Sequence, residues 1–247
     1  MQTKLLGVLS LICLVVTILW LVFLIAGMAV AGPLETFEQV LAHVNKADVI
    51  FYVTYTNAAL VTVSAVMLFA ALHLYYKPIA PEWSSIGVSF VPIYGAMNLV
   101  VYLSQVTVVP RLLQLQAMPE YQALSQFLLR QAIQQWPDSV ISIVNNLAYA
   151  VLGVPSIIFG VLMLKSAPDL RLGGILLALN GIACIAGFIG IAAQSAWLSQ
   201  GSFVGGVLFL LALAPMSWVF LQRKTQVGVR ANNGFQLTLL RCAPHRA

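Results

Sequence analysis

The feature that most constrains this chain is a series of apolar stretches, each long enough to cross a lipid bilayer as a helix. The hydrocarbon core of a bilayer is about 30 Å thick, and a helix needs about 20 residues to span it. Backbone polar groups in lipid must be paired within the chain, and stretches this long exceed barrel strands. The sequence therefore predicts an all-α fold, an integral membrane bundle of about six transmembrane helices. The predicted spans are residues 5–31, 48–76, 85–109, 139–165, 171–198 and 203–222.

The composition of the chain agrees with a membrane protein. Of its 247 residues, 61% are hydrophobic and 8% are charged, against roughly 25% charged in soluble domains. Membrane lipid is therefore the expected partner. The net charge of +5 does not indicate a nucleic-acid partner, because the basic residues lie in short loops and at the C-terminus. The first apolar run is longer than the apolar part of a signal peptide, so we expect a retained span.

The basic residues also predict an orientation. If the N-terminus lies inside, nine basic residues fall on the inner side: Lys4, Lys77, Lys165, Arg171, Arg223, Lys224, Arg230, Arg241 and Arg246. The outer side then holds three: Lys46, Arg111 and Arg130. Because basic residues concentrate in cytoplasmic loops, we expect both termini in the cytoplasm. The predicted location is the cell membrane, as a multi-pass protein, with the bacterial inner membrane as the specific expectation.

Two of the predicted outer connections have helical patterns of their own. Residues 34–47 place Leu34, Phe37, Leu41 and Val44 at helical spacing, and residues 119–136 place Tyr121, Leu124 and Leu128 similarly. They predict two outer amphipathic helices. The alternative is that each segment extends the next span, with a break near Pro137 in the second case. The order of span, amphipathic segment and span occurs twice, so an internal duplication is a further hypothesis.

The chain divides into a transmembrane domain and a tail. Residues 1–223 form the predicted six-span domain. Residues 224–247 are basic and have no sustained apolar period, which predicts a disordered cytoplasmic tail.

Polar residues within the spans are the candidates for function, because each is costly in lipid and tends to face the bundle interior. With the predicted orientation, most of them lie in the outer half of the membrane. Tyrosine and amide side chains form hydrogen bonds without carrying charge, which suits a neutral or lipidic ligand. The predicted ligand-binding residues are Tyr52, Tyr55, Asn57, Asn98, Tyr102, Gln105, Asn146, Tyr149 and Gln194, with Asn145 beside them. The alternative is that these groups bond one another and hold helices together.

The fifth span carries small or amide residues along one face: Asn180, Ala183, Gly187, Gly190 and Gln194. Small residues allow close helix packing in lipid, so we expect this face to be buried and the helix to lie centrally. The first and sixth spans are almost free of polar residues at depth, and we expect them at the periphery.

Catalytic and metal-binding patterns are absent from the sequence. His43, His73 and His245 do not have metal-ligand spacing, and the three cysteines suggest neither a disulfide framework nor a metal site. No nucleophile-elbow or nucleotide-binding fingerprint occurs. We therefore expect a protein that is not an enzyme and has no catalytic residues, metal or cofactor.

Two segments resemble bacterial multi-span membrane proteins known only as domains of unknown function. The first joins Asn145-Asn146-Leu147-Ala148-Tyr149 with Gly153-Val154-Pro155, and the second joins Gly173-Gly174-Ile175-Leu176 with Asn180-Gly181. The resemblance covers roughly residues 139–220 and implies no activity.

The sequence thus favours a non-enzymatic membrane protein that binds a small neutral or lipidic ligand from the outer side, as a carrier or sensor. The alternative is a structural or assembly subunit that docks a partner membrane protein through the outer amphipathic helices.

Overall fold

The computed structural model describes residues 2–32, 34–46, 48–166 and 168–223. Within these ranges the regular structure is entirely helical, and six helices are long and apolar enough to cross a membrane, which confirms the predicted fold class. The α-helices are α1 (Gln2–Ala31), α2 (Phe37–Asn45), α3 (Val49–Tyr76), α4 (Pro81–Ser89), α5 (Val91–Gln116), α6 (Gln122–Ala132), α7 (Val140–Ser166), α8 (Arg171–Ala192), α9 (Ala196–Ser199) and α10 (Gly201–Gln222). The predicted disordered tail lies outside the described residues.

The six spans form a closed ring in chain order. Helix α1 packs against α3, α3 against α5, α5 against α7, α7 against α8, α8 against α10, and α10 returns to α1. Helices α2 and α6 lie at one end of this ring, which we call the capped end. The opposite end carries the turn between α3 and α4 and the turn between α7 and α8.

Two spans have limits that differ from the sequence prediction. The third begins with α4 at Pro81, bends near Pro92 and continues through Pro110 to Gln116, because a proline is tolerated inside a membrane helix. The fifth ends at Ala192 rather than near residue 198.

A helix-stop motif ends α8 early. Gln194 adopts a left-handed conformation with φ of 52°. The Ser195 N–H bonds to the Gly190 carbonyl at 2.8 Å, and the Gln194 N–H bonds to the Ile191 carbonyl at 3.1 Å. This pairing is the Schellman arrangement, which satisfies carbonyl groups at the end of a helix. Gln194 therefore leaves the face on which the sequence placed it.

Glycines bring α8 into direct backbone contact with its neighbours. A Cβ atom at Gly160 of α7 would lie 2.7 Å from the backbone nitrogen of Ala178. One at Gly187 would lie 2.5 Å from the backbone nitrogen of Ser202, near the start of α10. Such separations leave no room for a side chain, so α7, α8 and α10 pack as closely as helices can.

The small face of α8 is buried as predicted, apart from Gln194. Asn180, Gly187 and Gly190 are buried and Ala183 is half-buried. On the other face Ile175, Leu179, Ile182 and Ile189 are exposed. The expected central position is wrong, because α3 and α7 are the most buried spans. Helix α1 is the least buried span, as predicted, whereas α10 is more buried than α8.

The opposite end of the ring is filled by aromatic side chains, which we call the aromatic cluster: Phe69, Tyr75, Tyr76, Phe159, Phe209 and Phe220. Arg223, at the end of α10, donates to the Tyr75 hydroxyl at 2.9 Å and from Nε to Asp169 at 3.1 Å. The Tyr76 hydroxyl lies 3.1 Å from the Ser166 hydroxyl. These contacts fasten α3, α10 and the α7–α8 turn together.

At the capped end, α2 and α6 are separate helices and not extensions of the next spans. Thr36 and Gln39 form a capping box at the start of α2. Phe37, Val40 and Val44 of α2 are buried, so its apolar face packs on the bundle. Helix α6 differs, because its predicted apolar residues remain exposed: Tyr121, Leu124 and Leu128.

Candidate ligand-binding cavity

A cavity of about 390 Å³ lies inside the ring, in the half nearer the capped end. Its walls come from every spanning helix and from α2. The contributing stretches are residues 17–31 of α1, 50–61 of α3, 94–102 of α5, 145–152 of α7 and 202–210 of α10, with Asn180 of α8. Ligand pockets commonly measure 300–1,000 Å³. The cavity is therefore large enough for a small organic molecule or a lipid head group.

One wall of the cavity is built from tyrosines. The Tyr102 and Tyr149 hydroxyls lie 2.6 Å apart and join α5 to α7. The Tyr55 hydroxyl donates to the Gln134 side-chain oxygen at 3.0 Å. Tyr94 packs beside Tyr149, with ring centroids 6.3 Å apart. Because α3, α5 and α7 are neighbours in the ring, these residues form one continuous hydrogen-bonding surface.

Gln105 holds this wall in place from behind. Its side-chain amide is fully buried, donates to the Ala132 carbonyl at 2.9 Å and accepts from the Gln134 N–H at 3.0 Å. These bonds fix the turn after α6, and thereby the Gln134 side chain that accepts the hydrogen bond from Tyr55. Gln105 is thus a positioning residue and does not line the cavity.

Several residues of the lining carry buried polar atoms without a partner in the described part of the chain. They are the side-chain oxygens of Gln135, Asn145, Asn180 and Ser202. Asn180 also donates to the Gly205 carbonyl at 2.9 Å, which fixes its orientation. An unpaired buried polar group costs about 1–3 kcal/mol. A ligand or water with hydrogen-bond donors would relieve that cost.

The wall formed by α1 and α10 is mainly apolar. Trp20, Leu24 and Met28 of α1 and Phe203 and Val207 of α10 belong to it. Thr17 also lines this wall, but its hydroxyl donates to the Cys13 carbonyl within the same helix at 2.7 Å. The cavity therefore has a polar side and an apolar side that face each other.

Aromatic side chains pack together toward each end of the bundle. At the capped end, Phe37 of α2 meets Trp136 edge to face at 5.6 Å between ring centroids. The Arg130 guanidinium lies 5.1 Å from the Phe37 ring centroid, a cation–π contact. Toward the opposite end, Phe209 stacks on Phe69 of the aromatic cluster. In this conformation the cavity does not continue through the bundle.

Two titratable residues line the cavity at its capped end, and neither places a charge at depth. Burial lowers the pKa of His43, so its imidazole is neutral at pH 7. Asp48 caps α3, where its carboxylate accepts from the Phe51 N–H at 3.0 Å. Among the described lining residues the remaining polar groups are uncharged. The site therefore suits a neutral hydrogen-bonding group.

Four of the nine predicted ligand-binding residues line the cavity: Tyr55, Tyr102, Asn146 and Tyr149. The other five do not. Tyr52 is exposed on the outside of α3, Asn57 donates to the Val16 carbonyl at 2.9 Å, and Gln105 fixes the turn after α6. Asn98 is fully buried with an unpaired amide, and Gln194 ends α8. Four of the nine residues thus line a cavity, and Asn57 bonds to a neighbouring helix, as the interhelical alternative expects.

Other lining residues were not among the predicted ones, notably Trp20, His43, Gln134 and Gln135. Trp20 could have been identified from the sequence as unusual. Tryptophan concentrates at membrane interfaces, whereas this one lies well inside an apolar span. Gln134 and Gln135 lie in the turn after α6, whose path only the tertiary structure reveals.

Within the described ranges, no group of three His, Cys, Asp or Glu residues could hold a metal ion. Cys13 and Cys184 are both buried and unpaired. No protein-family model matches the chain, and no curated protein or solved structure is significantly similar to it. The cavity itself is therefore the basis for the function proposed below.

Proposed function

We propose that this chain is a non-enzymatic membrane protein that binds a small neutral or lipidic ligand, as a carrier or sensor. The observation that carries the proposal is the cavity of about 390 Å³, whose polar wall consists of tyrosine and amide groups. Tyr55, Tyr102 and Tyr149 supply hydroxyls, and Asn145 and Asn180 supply unpaired carbonyl oxygens. Such groups select for hydrogen bonding and against charge.

We propose further that the capped end faces away from the cytoplasm, so that the ligand is taken from the outer side. The basic residues support this orientation, because Lys77, Lys165 and Arg171 lie at the opposite end. Lys46 and Arg130 lie at the capped end, on or next to the short helices α2 and α6. The location would be the cell membrane, and a bacterial inner membrane in particular.

The carrier and sensor roles make different demands on the aromatic cluster. A carrier must expose the ligand on both sides in turn, which requires Phe69 and Phe209 to separate. A sensor needs only a difference in shape or stability between the empty and occupied states. Measuring ligand flux across vesicles that contain the protein would separate the two roles.

A substitution that fills the cavity tests the proposal. Val61 lines the cavity, whereas Val63 on the same helix is exposed on the outside. We expect Val61→Trp to lose the small molecule or lipid that wild-type protein retains in native mass spectrometry. Val63→Trp is the matched control and should retain it. Equal retention by wild type and Val61→Trp, with both folded, would contradict ligand binding in this cavity.

The orientation has its own test. In a background without native cysteines, Glu38→Cys and Gln126→Cys place a thiol on exposed positions of α2 and α6. Lys77→Cys places one at the opposite end. We expect an impermeant thiol reagent added to intact cells to label the first two variants and not the third. The reverse pattern would overturn the orientation.

A second candidate function follows from α6. Leu124, Phe127 and Leu128 are exposed, with Phe127 at 62%, and this apolar face suits a partner membrane protein. In that case the protein is an assembly subunit. Replacing Leu124 and Phe127 with serine should reduce the mass of a native membrane complex, whereas Val61→Trp should not change it.

A further inference from the structure

The cavity is bounded on one side by the second half of α1, which packs unusually little. The buried residues of α1 are Leu6, Gly7, Leu9, Ser10, Cys13 and Thr17. From Ile18 to Ala31, the described side chains are all half-buried or exposed. Only the first part of α1, up to Thr17, therefore has a buried face, and this part lies near the opposite end of the ring.

The contact between α1 and α10 also becomes looser from the opposite end toward the capped end. Near the opposite end, a Cβ atom at Gly7 would lie 2.8 Å from Cγ of Leu221, so the two helices touch closely. Toward the capped end, a Cβ atom at Gly206 of α10 would meet no described atom within 4 Å. Glycine at that position is consequently not required by close packing.

On its other side, α1 stays attached to α3. The Asn57 amide of α3 donates to the Val16 carbonyl at 2.9 Å. A Cβ atom at Gly27 would lie 3.8 Å from Ile50, an ordinary van der Waals contact. The gap in the ring thus lies between α1 and α10, not between α1 and α3.

Three side chains mark the mouth of this gap. Met28 of α1 and Phe203 and Val207 of α10 line the cavity, and all three are also exposed, by 64%, 65% and 42%. A side chain that belongs both to a cavity and to the outer surface lies where the two meet. These positions fall within spans, where the surrounding medium is lipid.

We propose that the gap between α1 and α10 is a lateral opening through which an amphipathic lipid with a small neutral head group enters from the bilayer. This inference rests on the proposed function and specifies its ligand. The head group lies against the wall of Tyr55, Tyr102 and Tyr149, and the apolar chain extends between α1 and α10. Because the polar wall faces the apolar wall, the head group and the chain of such a molecule can each contact a wall of matching polarity.

The polarity of the opening favours an apolar chain over a soluble ligand. Its mouth is lined by Leu24, Met28, Phe203 and Val207, and the only charged side chain among the described lining residues is Asp48, which caps α3. A water-soluble molecule would gain nothing from passing through this surface. An acyl chain that enters from the bilayer stays in an apolar medium throughout, so its passage through this surface exposes no apolar group to water.

Photochemical labelling tests the opening. Wild-type protein in nanodiscs of phosphatidylcholine receives a monoacylglycerol whose chain carries a diazirine near the ester. After irradiation, we expect labelled peptides that contain Tyr149 and Leu152, on the α7 wall of the cavity. Gly206→Trp should reduce this labelling several-fold, because the indole would fill the gap.

Ala214→Trp is the matched control, since Ala214 is exposed on α10 outside the cavity lining and should leave labelling unchanged. Gly206→Leu is a smaller obstruction that keeps the test usable if the tryptophan variant does not insert. Undiminished α7 labelling in folded Gly206 variants would overturn the lateral opening. No α7 labelling in wild type would overturn the lipid ligand. Either result leaves the Val61→Trp test of the cavity intact, so failure of this inference differs from failure of the proposed function.

Discussion

Helices α8 and α1 are both members of the ring, but they are attached to their neighbours in different ways. Helix α8 presents glycines to α7, α9 and α10 along its length, from Gly174 to Gly190, and each meets backbone or side-chain atoms directly. Helix α1 makes one such contact, at Gly7, and from Ile18 onward none of its described side chains is buried.

The difference matters because lipid gives apolar helices no hydrophobic reason to associate. Close van der Waals packing and hydrogen bonds provide the attachment instead. The α8 side is therefore the rigid part of the ring. The second half of α1 has no comparably close glycine contact, so it is the less tightly packed wall of the ring.

The largest expected effect comes from breaking the α8 side. Gly187→Leu places a side chain where a Cβ atom alone would lie 2.5 Å from the backbone of Ser202. We expect a loss of roughly 1–3 kcal/mol in the free energy of unfolding, because α8 and α10 must separate. Ile189→Leu, on the exposed face of α8, is the control. Equal melting temperatures in one detergent would show that the α8 face is not a packed interface.

A smaller effect is expected at the polar wall of the cavity. Tyr102→Phe removes the hydrogen bond to Tyr149 and should cost about 0.5–1.5 kcal/mol. It should also weaken retention of the ligand in native mass spectrometry. Tyr52→Phe makes the same chemical change outside the cavity and should alter neither property. If both variants behave alike, the tyrosine wall has no special role.

The ion pair that fastens the end of α10 should contribute less. Arg223 donates to Asp169, and this bond holds the pKa of the carboxyl group below its ordinary value. The pair is partly exposed, so Asp169→Asn should cost about 0.2–1 kcal/mol at pH 7. Because the folded-state pKa is depressed, this stabilisation is present above about pH 4 and is lost as pH falls further. The difference in melting temperature between wild type and variant should therefore shrink on acidification. A difference that persists at low pH would argue against this ion pair.

The smallest effect is expected on the loose half of α1. Gly27→Leu is the counterpart of Gly187→Leu, yet a Cβ atom at Gly27 would meet Ile50 only at 3.8 Å. We expect a change within about 0.5 kcal/mol in thermal unfolding, as at an exposed site. A loss as large as that of Gly187→Leu would show that both helices are packed alike, and the comparison would fail.

Periodicity and small-residue patterns predicted much of the fold. The spans and the buried stripe of Asn180, Gly187 and Gly190 follow from patterns within one helix, where each residue's face is set by its spacing. Gln194 was misplaced because a local helix stop overrides that spacing. The predicted apolar face of α6 did not pack on the bundle, because amphipathic spacing does not say what an apolar face will meet.

The candidate site was less predictable. Polarity identified Tyr55, Tyr102 and Tyr149 because each is costly in lipid. It equally selected Asn57, whose amide binds the backbone of α1. The apolar wall was missed altogether, since leucine, methionine and phenylalanine look the same in a sequence whether they face lipid or a cavity. The apolar residues that face the cavity can be told from those that face lipid only when α1 and α10, which lie far apart in the sequence, are known to be neighbours.

That pairing also has a consequence for how the protein is made. Helix α1 is synthesised before the other five described spans, and α10, its neighbour in the ring, is synthesised after them. The contact of Gly7 with Leu221 joins residues more than 200 positions apart. Closing so long a loop is a late step, because chain entropy delays contacts between distant residues. The cavity therefore comes into existence only when α10 inserts, and a chain without α10 lacks one of its walls.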